Sequence, residues 1–565
     1  MTRRFDVVGG MVRDVRTELP RVGRAGSRSA LLHDATAEVP ASAASIAGVE
    51  AISPANQKIP LSKLHRFYLL RWLGTIGAFL ISVAGLGAGA LPVVGNPYYD
   101  VPFGGLFARM LQAASSLVMI GVGLMVMSWV LMMPLLGVKD HKLPYVNQRQ
   151  IWVTFLGWVV PLLITAPLFT QDIYSYLANG FIVRSGLDPY SAGPVQLLGA
   201  DNPLARSVPF IWANSPSPYG PVALGVAAVI SWLTGDSILL GVLAHRIISI
   251  VGVITAGRAL GDIAKRCKVS PEAALWLAVL NPLTILHLIG GVHNEALMMG
   301  LLLLGVVCVF RGLETCTSNR LTWVLLVLGV GLIACAGMVK VTAFVALGFV
   351  GMALARKLKQ DFTLSPGVAI VSAGLVCGVL LFATIALVTW VTGIPLGWIE
   401  GQGGAATVRS WLSASTDIGV AAGFLGQLLG LGNHTEAILT ITRGAGVAVA
   451  IVFLIRMLIA TFRGSIHPIG GLGVSMLVLV VLFPVVHPWY LLWAIFPLAA
   501  WANRPFFQYA VISVSAAMSF FVLPRGLGLP PLTVLQIYAG FALGLAAILF
   551  TGWVWLQRRG IRVLD

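Results

Sequence analysis

One carboxylate follows a long apolar segment and begins a stretch of chain that is too polar to cross a bilayer. Asp172 comes directly after the apolar run that ends at Thr170, and residues 171–221 are rich in Gly, Pro, Asp and Ser, a composition typical of turns. A carboxylate so placed could act as a general base that takes a proton from a hydroxyl group. It could also cap the helix that follows it, and the two roles are compatible.

Lys340 and His293 lie at the ends of other apolar runs. Lys340 interrupts residues 321–350, where it could reach outward to lipid headgroups or point inward and bind a phosphate as a point charge. His293 follows a Gly-Gly break and is adjacent to Asn294 and Glu295. It could hydrogen-bond a neighbouring helix, or contact sugar hydroxyls or a phosphate. His-x-Glu alone gives only weak support for a metal, which needs further ligands, and we predict none.

A third group of polar and aromatic residues follows later apolar runs. His487 is flanked by Trp489 and Tyr490 in HPWY, and Arg525 lies in LPRGLGLPP. The two aromatic rings could form an interfacial belt, or they could stack on sugar rings or pack around a lipid phosphate. Arg525 is a further cation for phosphate, or a headgroup anchor. Arg246 falls inside an apolar segment, where a charge needs a partner that the sequence does not identify.

The amino-acid composition indicates which type of secondary structure positions these side chains. Of the 565 residues, 58% are hydrophobic and 10% are charged, whereas soluble domains carry about 25% charged residues. Apolar segments of roughly 20 residues recur along the chain, and each is long enough to cross a bilayer as a helix. Without the alternation typical of barrel strands, they predict an all-α polytopic integral membrane protein.

Basic clusters between the segments predict the topology, because such clusters usually mark cytoplasmic loops. They give about fourteen crossings with both termini cytoplasmic, provided that residues 222–233 and 417–431 form helices that do not cross. Residues 1–60 are predicted to be a disordered basic tail, with no cleaved signal, and residues 61–565 the membrane domain. The loop 171–221 and the polar span ends then face the extracytoplasmic side.

The residues after Asp172 predict a short helix at the membrane surface. Ile173, Tyr176, Leu177 and Phe181 fall on one helical face, and Gly and Pro residues follow as a stop. The formal net charge of +16 does not indicate nucleic-acid binding, because no soluble basic domain is present. The five cysteines show no metal spacing and predict packing only.

The turn sequences RSGLDPYSAGP and SPYGP resemble a pattern in membrane glycosyltransferases of the GT-C class that use lipid-phosphate sugars. Gly186, Pro189, Tyr190, Tyr219 and Pro221 match that pattern. The resemblance continues through NPLTILHLIGGVHNEALMMGLLLLG, GMVKVTA and VHPWYLLW. In this order the motifs resemble the polyprenyl-phosphomannose-dependent α-(1→6)-mannosyltransferases of the MptA/MptB type. The likeness covers about residues 68–555 and implies a GT-C-like bundle.

The resemblance implies a multi-pass enzyme of the plasma membrane that builds the α-(1→6)-mannan of lipomannan. The donor would be polyprenyl-phosphate-mannose and the acceptor a mannosylated phosphatidylinositol or lipomannan. Asp172 would be the base. The substrate-binding residues would be Lys340, His487, Arg525, His293, Asn294, Glu295, Trp489, Tyr490, Tyr219 and Arg184. The chemistry requires no cofactor, although a divalent ion is possible, since Lys and Arg can neutralise a phosphate.

Two alternatives stay open from the sequence. A transporter or flippase of a lipid-linked sugar would have similar hydropathy, although no inverted pair of Gly/Pro-broken spans is evident. A GT-C enzyme that uses another lipid-linked sugar would carry the same motifs.

Overall fold

A computed structural model describes most of the membrane region. The described residues are 61–136, 144–314, 319–401, 410, 412–502, 504–526 and 528–558. The predicted tail, residues 1–60, lies outside them. Within the described ranges the chain forms helices and no strand, which confirms the predicted all-α membrane fold. Helices satisfy their own backbone hydrogen bonds, as a lipid environment requires.

The α-helices are α1 (Leu61–Ala88), α2 (Gly104–Ala108), α3 (Leu111–Met132), α4 (Gln148–Val159), α5 (Asp172–Arg184), α6 (Pro194–Leu198), α7 (Pro203–Ser207), α8 (Phe210–Ala213), α9 (Pro221–Thr234), α10 (Ile238–Arg266), α11 (Pro271–Ala278), α12 (Glu295–Leu313), α13 (Arg320–Gly337), α14 (Val345–Phe362), α15 (Pro366–Thr392), α16 (Ala414–Leu428), α17 (Thr435–Phe462), α18 (Pro468–Leu482), α19 (Leu492–Trp501), α20 (Pro505–Met518) and α21 (Pro531–Arg558). Short 3₁₀ helices include Val160–Ile164, Val341–Phe344 and Pro488–Leu491, and Thr284–Gly290 is π-helical.

Nine helical segments of the described chain are long and apolar enough to cross a bilayer. They are Lys63–Ala88, Leu111–Leu136, Ile238–Arg266, Glu295–Leu313, Arg320–Gly337, Val341–Phe362, Pro366–Thr392, Thr435–Phe462 and Pro531–Arg558. Four shorter apolar helices accompany them, so the count of about fourteen crossings stays a prediction. The two segments predicted not to cross form α9 and α16, of 14 and 15 residues. Both are shorter than the ~20 residues that a span needs.

The helix after Asp172 is buried on most sides, so the prediction that it buries one apolar face alone is wrong, while its position at the membrane surface stays a prediction. Ile173, Tyr176 and Leu177 of α5 are buried as predicted, but Tyr174 and Asn179 are buried too. The reason is that α9 packs along α5, and the short helices α6 and α7 cover it from the loop. The Tyr174 hydroxyl donates to the carbonyl of Ala90 at 2.9 Å, which satisfies a polar group inside the protein.

Helix α12 is held between α10 and α13 by close backbone contacts. A Cβ added at Gly252 of α10 would lie 2.4 Å from the carbonyl oxygen of Ala296, and one added at Gly300 would lie 2.7 Å from that of Gly252. Small residues allow such approach, and van der Waals packing is the main attraction between helices in lipid. This contact fixes the start of α12, where Glu295 lies.

Replacing Gly252 with Leu should push α10 and α12 apart. Overpacking of this kind costs about 1–3 kcal/mol, so we expect the apparent melting temperature of the purified protein in detergent to fall by several degrees. Gly374→Leu in α15 is the control, because nothing lies within 4 Å of a Cβ added there. Equal melting temperatures for the two variants would contradict the proposed close contact.

Candidate active site

Five chain segments meet at one end of the helix bundle. They are the start of α5, the residues before α9, the start of α12, the residues that follow α13, and the 3₁₀ helix before α19. These segments bring together most of the polar residues predicted from the sequence. The group consists of Asp172, Tyr219, His293, Glu295, Lys340, His487, Trp489 and Tyr490.

Asp172 is held on two sides and remains open to solvent. Its Oδ1 accepts a hydrogen bond from Trp212 Nε1 at 3.1 Å, and its Oδ2 lies 3.9 Å from Nδ1 of His293. The side chain is 25% exposed. Gln171 takes the cap position of α5 and Asp172 the first helical position, so the interpretation of Asp172 as the cap is wrong. The carboxylate therefore remains available for chemistry.

His293 lies between two carboxylates. Its Nδ1 is 4.0 Å from Oε2 of Glu295 as well as 3.9 Å from Asp172, and its Nε2 is 3.4 Å from the Thr170 hydroxyl. Burial lowers the pKa of His293, and the opposing effect of Glu295 and Asp172 does not restore it. Both distances to the carboxylates are longer than a hydrogen bond, so a neutral His293 lies between the two carboxylates without bonding to either and without adding charge.

The buried Glu295 carboxylate forms an ion pair with the partly exposed Lys340. Glu295 Oε1 accepts from Lys340 Nζ at 2.5 Å and from Trp489 Nε1 at 3.2 Å, and Lys340 also donates to the Tyr490 hydroxyl at 3.2 Å. Burial alone would lower the pKa of Lys340, but Glu295 raises it well above its usual value. Lys340 thus points inward instead of reaching for headgroups, and its charge is balanced before any substrate binds.

Trp489 lies between two imidazole rings. Its ring is 4.1 Å from that of His293 and 4.5 Å from that of His487, at interplanar angles of 22° and 7°. Trp489 is 2% exposed, so the belt interpretation is wrong for this residue. Burial lowers the pKa of His487 to about 4. At neutral pH His487 is therefore a hydrogen-bonding group, and the predicted role as a cation for phosphate is not supported.

The two turn motifs are bonded to each other beside the cluster. The Tyr190 hydroxyl donates to the carbonyl of Tyr219 at 2.9 Å, and the Tyr219 hydroxyl lies 3.5 Å from that of Tyr176. Burial raises the pKa of Tyr219, and Asp172 raises it further while Lys340 opposes the change. Tyr219 therefore belongs to the same electrostatic environment, as a neutral hydroxyl.

Two predicted site residues lie away from the cluster centre. Arg184 is at the other end of α5, about 18 Å from Asp172 along the helix, and it pairs with Asp236. Asn294 precedes α12 and makes no capping bond with its side chain; it is half-buried. The structure therefore does not bring Arg184 to the carboxylates, and it leaves Asn294 at the edge of the group.

Arg525 is exposed, but its loop is attached to the segment that leads to Asp172. The backbone N–H of Phe169 donates to the carbonyl of Pro524 at 2.7 Å. The ion pairs found in the described part of the chain do not include Arg525. It is thus a cation near the site whose charge is not balanced by those pairs. The charge pattern of the sequence also predicts Arg409 on the extracytoplasmic side, and that residue lies outside the described ones.

Arg246 supplies the support that sequence reasoning could not define. It is 1% exposed, and its guanidinium donates to the carbonyls of Leu163, Thr165, Ile289 and Gly290 at 3.0, 2.8, 3.2 and 3.4 Å. These carbonyls lie around the ends of two short helices and need donors. One helix precedes Asp172 and the other precedes His293, so Arg246 ties the two segments together.

Sequence reasoning missed several groups. Trp212 and Thr170 contact the predicted site residues, but an indole in a polar loop and a Thr at a span end carry no distinctive pattern. Phe169 and Val292 adopt φ values of 70° and 58°, a strained conformation for large side chains. Each lies within three residues of Asp172 or His293, and strain of this kind concentrates at functional sites.

The formal charges of the cluster sum to a negative value, so binding of an anionic substrate needs further cations. The cluster holds two carboxylates, Asp172 and Glu295, and one ammonium group, that of Lys340, which pairs with Glu295, while the neighbouring imidazoles are neutral. Within the described chain, no three His, Cys, Asp or Glu side chains are grouped as metal ligands. The arrangement can accept a proton at Asp172 and can place donors around a substrate.

Comparison with known proteins gives consistent matches over most of the chain. The family model described as alpha-(1→6)-mannopyranosyltransferase, N-terminal domain, matches residues 71–356, and the MptB C-terminal domain matches residues 415–550. The chain is 54% identical to alpha-(1→6)-mannopyranosyltransferase B of Corynebacterium glutamicum, over 96% of this chain and 92% of that protein. It is 32% identical to alpha-(1→6)-mannopyranosyltransferase A of Mycobacterium tuberculosis, over 80% and 83%. No solved structure matches.

Removing one member of the Glu295–Lys340 pair should cost more than removing both. Lys340→Met leaves the buried Glu295 carboxylate without its partner, which costs about 3 kcal/mol or more. Glu295→Gln leaves the Lys340 ammonium unpaired, and because that side chain is 23% exposed it should cost less. The double variant should lose less than the sum of the two, with a coupling energy above about 1 kcal/mol, measured by unfolding in detergent. The control is Lys357→Met, which breaks the partly exposed Lys357–Asp361 pair and should cost under about 1 kcal/mol. Additive single effects would contradict the coupling.

Acidification should destabilise the protein partly through His487. An unfolded His binds a proton near pH 6.5, whereas the folded pKa is about 4. Between these values the unfolded state binds more protons, so stability falls as the pH falls. In His487→Gln the slope should decrease by up to about 1.4 kcal/mol per pH unit. Unfolding of both proteins at pH 8, 6 and 5 tests this, with pH 8 as the reference for the lost stacking. Parallel curves would exclude His487 as the group responsible.

Proposed function

Because the chain belongs to the α-(1→6)-mannopyranosyltransferase family of the MptA/MptB type, we propose that it moves mannose from polyprenyl-phosphate-mannose to a mannosylated lipid. The observation that supports this proposal best is the partly exposed Asp172, held beside His293 and the Glu295–Lys340 pair at one end of a helix bundle. A membrane enzyme that acts on a lipid-linked donor needs such a site near the bilayer surface.

The proposed reaction is a single displacement that inverts the anomeric carbon. Asp172 takes the proton from the primary 6-hydroxyl of an acceptor mannose while that oxygen bonds to C1 of the donor. The bond between C1 and the phosphate oxygen breaks, and polyprenyl phosphate leaves with the electron pair. A β-linked donor then yields an α-linked product. The leaving phosphate is already a stable anion, so no second carboxylic acid is needed, in contrast to most glycosidases.

The two carboxylates of the cluster differ in a way that favours Asp172 as the base. Glu295 is 3% exposed, and its Oε1 accepts from Lys340 and Trp489, so this carboxylate is enclosed and its charge is paired. Asp172 is 25% exposed and accepts one hydrogen bond from Trp212. A base must come within hydrogen-bond reach of the substrate proton, and Asp172 has the free oxygen to do so.

Recognition of the donor phosphate follows from the remaining donors. Lys340 keeps its positive charge, but Glu295 balances it. Lys340 can therefore orient the phosphate with a hydrogen bond, while the pair adds little net attraction. Arg525 adds a positive charge from the adjoining loop, while neutral His487 and His293 can donate hydrogen bonds. Donors that are positioned before the reaction stabilise charge as it develops on the leaving phosphate.

We further propose that the site faces the extracytoplasmic side of the plasma membrane, with both termini cytoplasmic. Supporting this, basic residues such as Arg258, Lys265 and Arg311 lie on the helix ends remote from Asp172, and basic ends are usually cytoplasmic. The acceptor would be a mannosylated phosphatidylinositol or lipomannan, and the product the α-(1→6)-mannan of lipomannan or lipoarabinomannan.

Asp172→Asn should lower the rate of mannosyl transfer by about 10² to 10⁴-fold, the usual contribution of a general base. The amide oxygen can still accept from Trp212, so folding and donor binding should persist. The assay follows labelled mannose from polyprenyl-phosphate-mannose into an oligomannosyl lipid with membranes that contain the protein. Asp201→Asn, an exposed residue of the same loop, is the matched control and should retain full activity.

The same assay separates the alternatives. Normal turnover by Asp172→Asn would rule out its role as the base. If unmodified donor lipid moves across the membrane and no new glycosidic bond forms, the protein is a flippase and not an enzyme. Transfer of another sugar in preference to mannose would keep the mechanism and change the donor.

A further inference from the structure

A cavity lined by charged residues lies at the opposite end of the bundle from Asp172. Its volume is about 210 Å³, which equals about seven molecules of liquid water. Helices α4, α10, α11 and α12 enclose it. The side chains that matter most are Trp152, Arg258, Asp262, Lys265 and Arg311. Nothing in the proposed transfer reaction uses this cavity.

The length of helix α12 gives the distance between the candidate active site and the cavity. Glu295 at its first residue belongs to the candidate active site, and Arg311 near its last turn lines the cavity. Sixteen residues of α-helix rise about 24 Å. Since α12 is one of the candidate spans, the cavity opens at the membrane face opposite the active site.

The cavity carries excess positive charge. Three basic side chains line it, and the one acid, Asp262, already accepts from Arg266 at 2.8 Å and from Arg311 at 3.1 Å. The ion pairs of the described chain include neither Arg258 nor Lys265, and both are exposed. An anion would therefore find two cations whose charge no described carboxylate balances.

The wall of the cavity between these two cations is formed partly by glycines. Gly257 and Gly261 are one turn apart on α10, and both line the cavity. A Cβ added at Gly261 would meet only the amide oxygen of Gln148, at 3.9 Å. The space beside Gly257 is filled by Trp152 and Val279, so it is Gly261 that leaves room for a ligand. Trp152 adds an aromatic group of the kind found at the level of lipid headgroups.

We propose that this cavity binds the phosphate of an anionic phospholipid headgroup. A phosphodiester offers charged oxygens that Arg binds in a forked geometry and Lys as a point charge. Basic pockets between spanning helices recognise lipid headgroups in this way. A soluble phosphate compound shares this chemistry, but the position at a helix end beside Trp152 favours a ligand that resides in the bilayer.

The test uses the full chain in a non-ionic detergent, with bound lipid counted by native mass spectrometry. Phosphatidylglycerol should bind more tightly than phosphatidylcholine, and 10 mM inorganic phosphate should compete only weakly. Arg258→Ala and Lys265→Ala should each weaken phosphatidylglycerol binding about fivefold. Gly261→Leu should block the cavity without changing the charge, and so separates a built site from general attraction to a basic surface.

Arg456→Ala is the matched control, since Arg456 is an exposed cation on α17. His467, just beyond that helix, lies 3.7 Å from Cys267 at the cavity end of α10. The control substitution removes one charge at the same end of the bundle and should leave binding unchanged. Equal binding of the two lipids, or equal losses in Arg456→Ala and Arg258→Ala, would overturn the proposal. Tight binding of inorganic phosphate alone would overturn the lipid assignment in favour of a soluble phosphate.

Discussion

The geometry of the candidate active site depends on the buried guanidinium of Arg246. A charge inside an apolar bundle is costly unless polar groups surround it, and here four backbone carbonyls do so. Those carbonyls belong to two chain segments that are far apart in sequence. Each segment continues into a catalytic candidate, Asp172 in one case and His293 in the other. The need to solvate one cation therefore sets the distance between two functional side chains.

The packing of α10 against α12 connects Arg246 to the start of α12. The close contact of Gly252 with Ala296 and Gly300 fixes the height of α12 against α10, and Arg246 is on the same helix as Gly252. The supporting cation and the start of α12 thus belong to one packed unit. Because the two helices also share the cavity at their far ends, this unit links both membrane faces.

The sequence predicted the membrane class, the loop 171–221 and most members of the cluster, because hydropathy and charge patterns reflect the solvent that each segment meets. It could not predict that α5 is buried on most sides, since the helices that cover it come from a loop whose path depends on tertiary contacts. It also could not pair Lys340 with Glu295, which are 45 residues apart. Hydropathy placed both at span ends, but the direction of a side chain depends on neighbours that only the fold supplies.

The Glu295–Lys340 pair also constrains how this chain could diverge. A substitution of Lys340 alone leaves the uncompensated Glu295 carboxylate in the interior, so a lineage that loses the lysine first would pass through a poorly folded intermediate before reaching a new pair. Neither residue needs to touch a substrate for this barrier to exist. Persistence of both residues among descendants of this protein would then reflect the difficulty of a two-step exchange as much as selection on catalysis. Replacement of both together, by an apolar pair of similar volume, is the route that physical chemistry leaves open.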